Sequence, residues 1–159
     1  MYKASALIDF VSEFPSRITS YFTKLINNKN SSGSENSLKY WFSDLLNKID
    51  QSTTQYIEQK VPNAKFTVVE QSIHELYVLR KIVFRVGDYT ICEAINKLMR
   101  NNLVDEWIQK NPSEPFGRFF QNKNLHRTPI QITDNSRKYF IKGDIVAEVE
   151  EKFHPLPKS

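Results

Sequence analysis

Apolar residues recur along this chain in two different periods. In residues 4–27, Ala6, Leu7, Phe10, Val11 and Phe14 have helical spacing, and Ile18, Tyr21, Phe22 and Leu25 continue it past Pro15, which breaks or restarts the helix. Residues 27–37, NNKNSSGSENS, read as a polar linker. Asn36 or Ser37 can cap a helix containing Leu38, Trp41, Phe42, Leu45, Leu46 and Ile49; Asp50 or Ser52 can cap the next, which Pro62 ends. The period then changes. Residues 65–71 form a strand, and residues 76–96, LYVLRKIVFRVGDYTICEAIN, form a β-hairpin about the turn pair Gly87-Asp88. Leu98, Leu103, Trp107 and Ile108 predict a helix over 98–109, followed by the turn cluster NPSEP and the short apolar-basic segment 116–121. Strands are expected at 127–133, 138–141 and 145–153. Helices come first, then strands with a helical insertion, and the tight hairpin makes the main pair antiparallel. The pattern gives an α+β fold, not a doubly wound one. One domain over 1–159 is expected, with 1–37 as a helical N-terminal extension and linker too short to be a domain of its own.

Three charges interrupt this pattern. Alternate residues of a strand share a face, so Arg80 falls among Val78, Ile82, Phe84 and Val86, and Glu93 among Tyr89, Ile91 and Ile95. Glu151 falls among Ile145, Ala147, Val149 and Phe153, while Val146, Glu148, Glu150 and Lys152 take the other face. An unpaired buried charge costs several kcal/mol or more, so each must be paired, placed at a rim, or used on a ligand. Arg80 and Glu93 could pair with each other or lie at a sheet edge, and Glu151 could belong to a frayed strand end before His154-Pro155. Three such charges in strands of one sheet point instead to an enclosed polar site.

Composition narrows the classes. The chain has 159 residues, 40% hydrophobic and 25% charged, as in an ordinary globular protein. No apolar run approaches a membrane span, and Asp9 and Glu13 interrupt the N-terminal apolar stretch, so no signal-peptide core is expected. The net charge is +4, but Lys and Arg are dispersed, which argues against nucleic acid and is compatible with an anionic small molecule. Cys92 is the single cysteine; it excludes an internal disulfide, suits a reducing compartment, and beside Glu93 reads as structural. The three histidines are scattered without metal-binding spacing, and neither GxGxxG nor a P-loop occurs, so no metal site is expected.

Several segments resemble the chorismate lyase (chorismate pyruvate-lyase) family, including its divergent cyanobacterial and plastid branch. STTQYIEQ at 52–59 resembles the family's early S-x-T-x-x-x-E-Q helix, and VLRKIVF at 78–84 its arginine strand. PFGRF at 115–119 resembles its P-(L/I)-G-R element, and VEEKFHP at 149–155 its terminal E-x-F-x-P strand. YTICEAI at 89–95 is similar to the A-E-S-x-I segment of the divergent branch, and order and spacing agree over roughly 38–155. The resemblance implies an antiparallel sheet with the ligand enclosed under helical flaps, and neither metal nor organic cofactor. It makes Arg80 the substrate-binding arginine and Glu151 the active-site glutamate. Phe116, beside Gly117, becomes an apolar ligand contact and Thr53 a contact on the early helix. Glu93 stands where the better-known branch has a second arginine, and Arg118 belongs to the G-R element; both are further candidates. Thr53, Phe116 and Glu93 depart from the family pattern.

The implied activity converts chorismate to 4-hydroxybenzoate and pyruvate, in the cytoplasm or plastid stroma, at a point that feeds quinone biosynthesis. Chorismate is a dianion, for which a buried arginine fork is the expected receptor. Two other readings share the fold. One is a non-catalytic binding domain for small aromatic carboxylates, as in regulators that carry a winged helix, for which the first 37 residues are too short. The other is an enzyme acting on a related cyclohexadienyl acid.

Overall fold

The computed structural model describes residues 39–157, so the helix and linker expected before residue 38 lie outside the described residues. Within them the chain forms α1 (Ser43–Asn47), α2 (Thr53–Lys60), β1 (Lys65–Ile73), β2 (Tyr77–Val86), β3 (Tyr89–Met99), α3 (Asn102–Lys110), α4 (Phe116–Phe120), β4 (Leu125–Ile132), β5 (Ser136–Gly143) and β6 (Ala147–Phe153). The strands make one six-stranded sheet of order β1-β2-β3-β6-β5-β4, with every neighbouring pair antiparallel. The α+β class expected from the sequence is the class observed.

Local chemistry sets the element ends. The hairpin turns at Gly87, whose φ of +59° suits a residue without Cβ. The Ser52 side chain accepts the Gln55 N–H and starts α2, and the Asn101 side chain accepts the Val104 N–H at 2.8 Å and starts α3. That second cap corrects the sequence reading, which began a helix at residue 98. Leu98 and Met99 are fully buried strand residues, and the helix waits for its cap. The helix expected over 38–49 shortens to α1, preceded by turns that still bury Trp41 and Phe42. At the other end β5 begins at Ser136, two residues before the expected strand.

Three strands carry a bulge. Val69 is the extra residue in β1 and Ile130 in β4, and in β3 Ile91 is passed over between the pairs Arg85–Thr90 and Phe84–Cys92. The β3 bulge shifts parity. Ile91 and Cys92 are both buried in the same cluster, and beyond them Ala94, Asn96 and Leu98 follow on the face of Val78, Ile82 and Phe84. Glu93, Ile95 and Lys97 therefore take the opposite face.

The described helices all pack on that first face, in two apolar clusters. α1 and α2 bring Phe42, Leu45, Leu46 and Ile57 against Ile82, Phe84, Cys92 and Phe153. α3 and α4 bring Val104, Ile108, Phe116 and Phe119 against Val78, Leu98, Tyr139 and Val149. Each such side chain, fully buried, contributes about 1.5–3 kcal/mol. Between the clusters the sheet changes character. Arg80 lies between Val78 and Ile82, Asn96 between Ala94 and Leu98, and Glu151 between Val149 and Phe153, with Arg137 paired to Glu151 in register on β5. This buried polar belt crosses the sheet where the two clusters meet.

Candidate functional site

The largest fully buried side chains of the described residues are two arginines, Arg80 and Arg137. A guanidinium has five N–H donors to satisfy once it leaves water. Arg137 satisfies all of them. Its Nε–H donates to Glu151 Oε1 at 2.6 Å, Nη1 donates to the carbonyls of Leu45 at 3.0 Å and Lys48 at 2.8 Å, and Nη2 donates to the Gln51 carbonyl at 2.9 Å and Thr53 Oγ1 at 2.8 Å. Arg137 and Glu151 form a buried ion pair, with side chains 0% and 4% exposed. Burial opposes the Arg137 charge, but the attraction and hydrogen bond of Glu151, with Tyr139 and Cys92, together outweigh it and raise the pKa. Arg137 thus ties the α1–α2 connection to the sheet and fixes one oxygen of Glu151. No described residue donates to the other oxygen.

Arg80 does the same for the α3–α4 connection, but incompletely. Its Nε–H donates to Gln71 Oε1 at 2.7 Å from the directly opposed position on β1. Nη1 donates to the Asn111 carbonyl at 3.1 Å and to that of Glu114. Nη2 is buried, and no described residue accepts from it. The guanidinium lies over the Phe116 ring at 4.5 Å and near Trp107 at 5.4 Å. No described carboxylate pairs with it. Burial lowers its pKa to about 10, which still leaves it cationic at neutral pH. A buried N–H without an acceptor costs about 1–3 kcal/mol, so this donor calls for a partner that no described residue supplies.

Beside the belt lies a cavity of about 20 Å³ between α2, α4 and the sheet. It has room for about one water molecule. Thr53 and Thr54 of α2, Phe116 and Gly117 of α4, and Asn96 and Glu151 of the sheet contribute to its wall, with Tyr139 and Arg127. A Cβ at Gly117 would collide with Thr54 Oγ1, so glycine is what lets α4 lie against α2 here. Burial and the neighbouring Glu151 push the Tyr139 phenol well above its ordinary pKa, so its proton stays in place. Cys92, fully buried, is likewise held as a thiol.

Of the residues singled out from sequence, Thr53, Phe116, Gly117 and Glu151 share this wall, and Arg80 stands behind Phe116. Two others are elsewhere. Glu93 is on the opposite face of the sheet, 3.0 Å from His154 Nε2 and 3.9 Å from Lys81; the hydrogen bond from His154 lowers its pKa. Its expected place beside Arg80 is corrected by the Ile91 bulge. Arg118 points outward, paired with Glu58 at 2.6 Å and Glu114 at 3.0 Å. Sequence reasoning missed Arg137, Asn96, Tyr139 and Arg127. For Arg137 a signal was present: it alternates with Tyr139 and Ile141, but the expected strand began one residue after it.

Among the described residues no three of His, Cys, Asp and Glu gather as metal ligands would, and no helix is long and apolar enough to cross a membrane. No family model and no curated protein matches the chain.

Proposed function

We propose that this chain is a chorismate-lyase-like enzyme that releases pyruvate from chorismate and leaves 4-hydroxybenzoate. The observation that carries the reading is the unpartnered Nη2 of the buried Arg80, on the same sheet face as the enclosed Glu151. Arg80 lies opposite Asn96, Asn96 opposite Val149, and Glu151 is two residues beyond Val149. Two strand spacings across and two residues along separate the Cα atoms by about 12 Å. That span matches a six-membered ring held between the two side chains once α2 and α4 have parted, since the closed cavity holds only about one water molecule. The ring carboxylate is received by Arg80, the ring lies against Phe116, and the carbon bearing the hydroxyl faces Glu151.

The reaction is redox-neutral and balances without a co-reactant. The C–H bond at the hydroxyl-bearing ring carbon breaks and its electron pair forms the last ring double bond. The adjacent C–O bond to the enolpyruvyl group breaks, and that oxygen keeps the pair. The released enolate gains a proton at its methylene carbon and becomes pyruvate. Glu151, with one oxygen committed to Arg137, presents the other as an acceptor for the hydroxyl or the departing proton. Aromatisation supplies driving force, so an enclosed site that holds the ring and excludes water has most of the work done. The cavity of about 20 Å³ means that the ligand enters by parting α2 and α4 from the sheet.

Purified protein incubated with chorismate tests this. The expected result is 4-hydroxybenzoate and pyruvate in equal amounts; neither product above the uncatalysed rate refutes it. The ion-paired Glu151 also suits a non-catalytic receptor for aromatic carboxylates, which would bind 4-hydroxybenzoate and release no pyruvate.

A further inference from the structure

Arg127 comes from β4, an edge strand, and reaches the same cavity wall as Glu151, Tyr139 and Thr53. Its Nε–H is buried there, and no described residue accepts it. Nη1 reaches the Asp50 carbonyl only at 3.5 Å, the outer limit of a hydrogen bond. Tyr139, its neighbour on β5, accepts a side-chain hydrogen bond from Arg127 but keeps its own proton, so it offers no counter-charge.

The charges of the belt then add simply. Arg137 and Glu151 cancel as an ion pair. Arg80 and Arg127 have no described carboxylate within ion-pair distance, and each keeps one buried guanidinium nitrogen from which no described residue accepts. The site therefore carries two uncompensated positive charges, each with a donor in hand. A ligand with one carboxylate would answer one of them and leave the buried donor of the other without an acceptor, which is the costly part.

We infer that Arg127 receives a second carboxylate of the ligand, so that the site selects ring acids with two carboxylates over those with one. This rests on the lyase reading above and sharpens it. Chorismate bears one carboxylate on the ring and another on the enolpyruvyl arm. When the arm leaves as pyruvate, Arg127 loses its anion while Arg80 keeps the ring carboxylate. Arg127 thus separates recognition of the substrate from retention of the aromatic product.

Calorimetric titration of the full chain tests the inference. The probes are 3-(1-carboxyvinyloxy)benzoate, a dicarboxylate whose ring is already aromatic and cannot eliminate, and 4-hydroxybenzoate, which has one carboxylate. Wild type is expected to bind the dicarboxylate more tightly. Arg127→Gln should weaken the dicarboxylate about ten- to hundredfold, the value of one charge-assisted hydrogen bond, and change 4-hydroxybenzoate by less than about threefold. Arg127→Lys keeps the charge but loses the planar fork; it should show a smaller loss, again for the dicarboxylate only, and serves if the Gln variant does not fold. Equal losses for both acids, or none for the dicarboxylate, overturn the inference. If wild type binds neither acid, the inference falls together with the reading of the site. If wild type binds both but releases no pyruvate from chorismate, catalysis alone is refuted, and the same titrations still decide Arg127.

Discussion

Replacing Glu148 by Gln should stabilise this protein, and more so as pH rises. Glu148 lies on β6 two residues from Glu150 and on the sheet face away from the described helices, opposite Lys97 on β3 and Phe140 on β5. It is 0% exposed, and neither carboxylate oxygen receives a hydrogen bond from a described residue. Burial pushes its pKa up to about 7; Lys138 and Lys97 pull it down, and Glu150 pushes it up further. Below pH 4.5 the folded and unfolded states both hold the proton. Between 4.5 and 7 the folded state keeps a proton that the unfolded state releases, so stability falls as pH rises, and above 7 the whole cost is present. The gap between the ordinary 4.5 and about 7, at about 1.4 kcal/mol per pH unit, amounts to about 3 kcal/mol. The attraction of the two lysines is already contained in that figure. Gln stays neutral throughout, so the variant should melt near wild type at pH 4.5 and about 6–12 °C higher at pH 8, taking about 2–4 °C per kcal/mol for a chain of this size. Circular dichroism melts of both proteins at pH 4.5, 6 and 8 measure the gap. A constant offset at every pH, or a Gln variant that melts lower at pH 8, refutes the reasoning. Turnover should not change, because Glu148 and Glu151 point to opposite faces of the sheet.

Other outcomes follow from the site. Gly117→Ala forces α4 away from Thr54 and should cost about 1–3 kcal/mol of stability by overpacking, read by melting, together with weaker 4-hydroxybenzoate binding by calorimetry. Glu151→Gln should lower kcat for pyruvate release by about 10²-fold or more, whereas Glu150→Gln, on the far face, should remain near wild type; the reverse order would mean that the wrong face of β6 carries the chemistry. Arg80→Ala should abolish binding of both the monocarboxylate and the dicarboxylate, in contrast to Arg127→Gln, and unchanged affinity for 4-hydroxybenzoate in that variant would remove Arg80 from the site.

The period of the apolar residues made the fold legible wherever one face of a strand was buried without interruption. On β6 the alternation of Ala147, Val149, Glu151 and Phe153 placed Glu151 on the helix-covered face, where it lies. The same rule failed on β3 for a local reason. One extra residue, Ile91, reverses the alternation, so Glu93 read as a companion of Arg80, whose true neighbour across the pair is Asn96. No composition signal marks a bulge of this kind, because Ile91 and Cys92 are both apolar. Arg137 was lost at a strand end, where propensity is weakest and the expected boundary fell two residues late, just past Arg137. Its role depends on carbonyls of residues 45–51, roughly ninety positions away in the chain, and such a partner has no sequence signature. Alternation also placed Glu148 on the face opposite Glu151, and burial of that face had no sign in its polar residues.

Among the described residues the sheet ends in two margins, β1 and β4. A free margin presents a row of unused N–H and C=O groups on which another chain can add as a further strand. Both margins are broken. Val69 kinks β1 between Val68 and Glu70, and Ile130 kinks β4 immediately after Pro129, which has no N–H to offer. Any chain docking on either side meets only a few residues in register before the pattern fails. The two bulge residues are themselves exposed apolar side chains, 44% for Val69 and 40% for Ile130, held at a bend rather than along a flat ribbon. Among the described residues, one surplus residue on each side therefore shortens the stretch on which a further strand could pair in register.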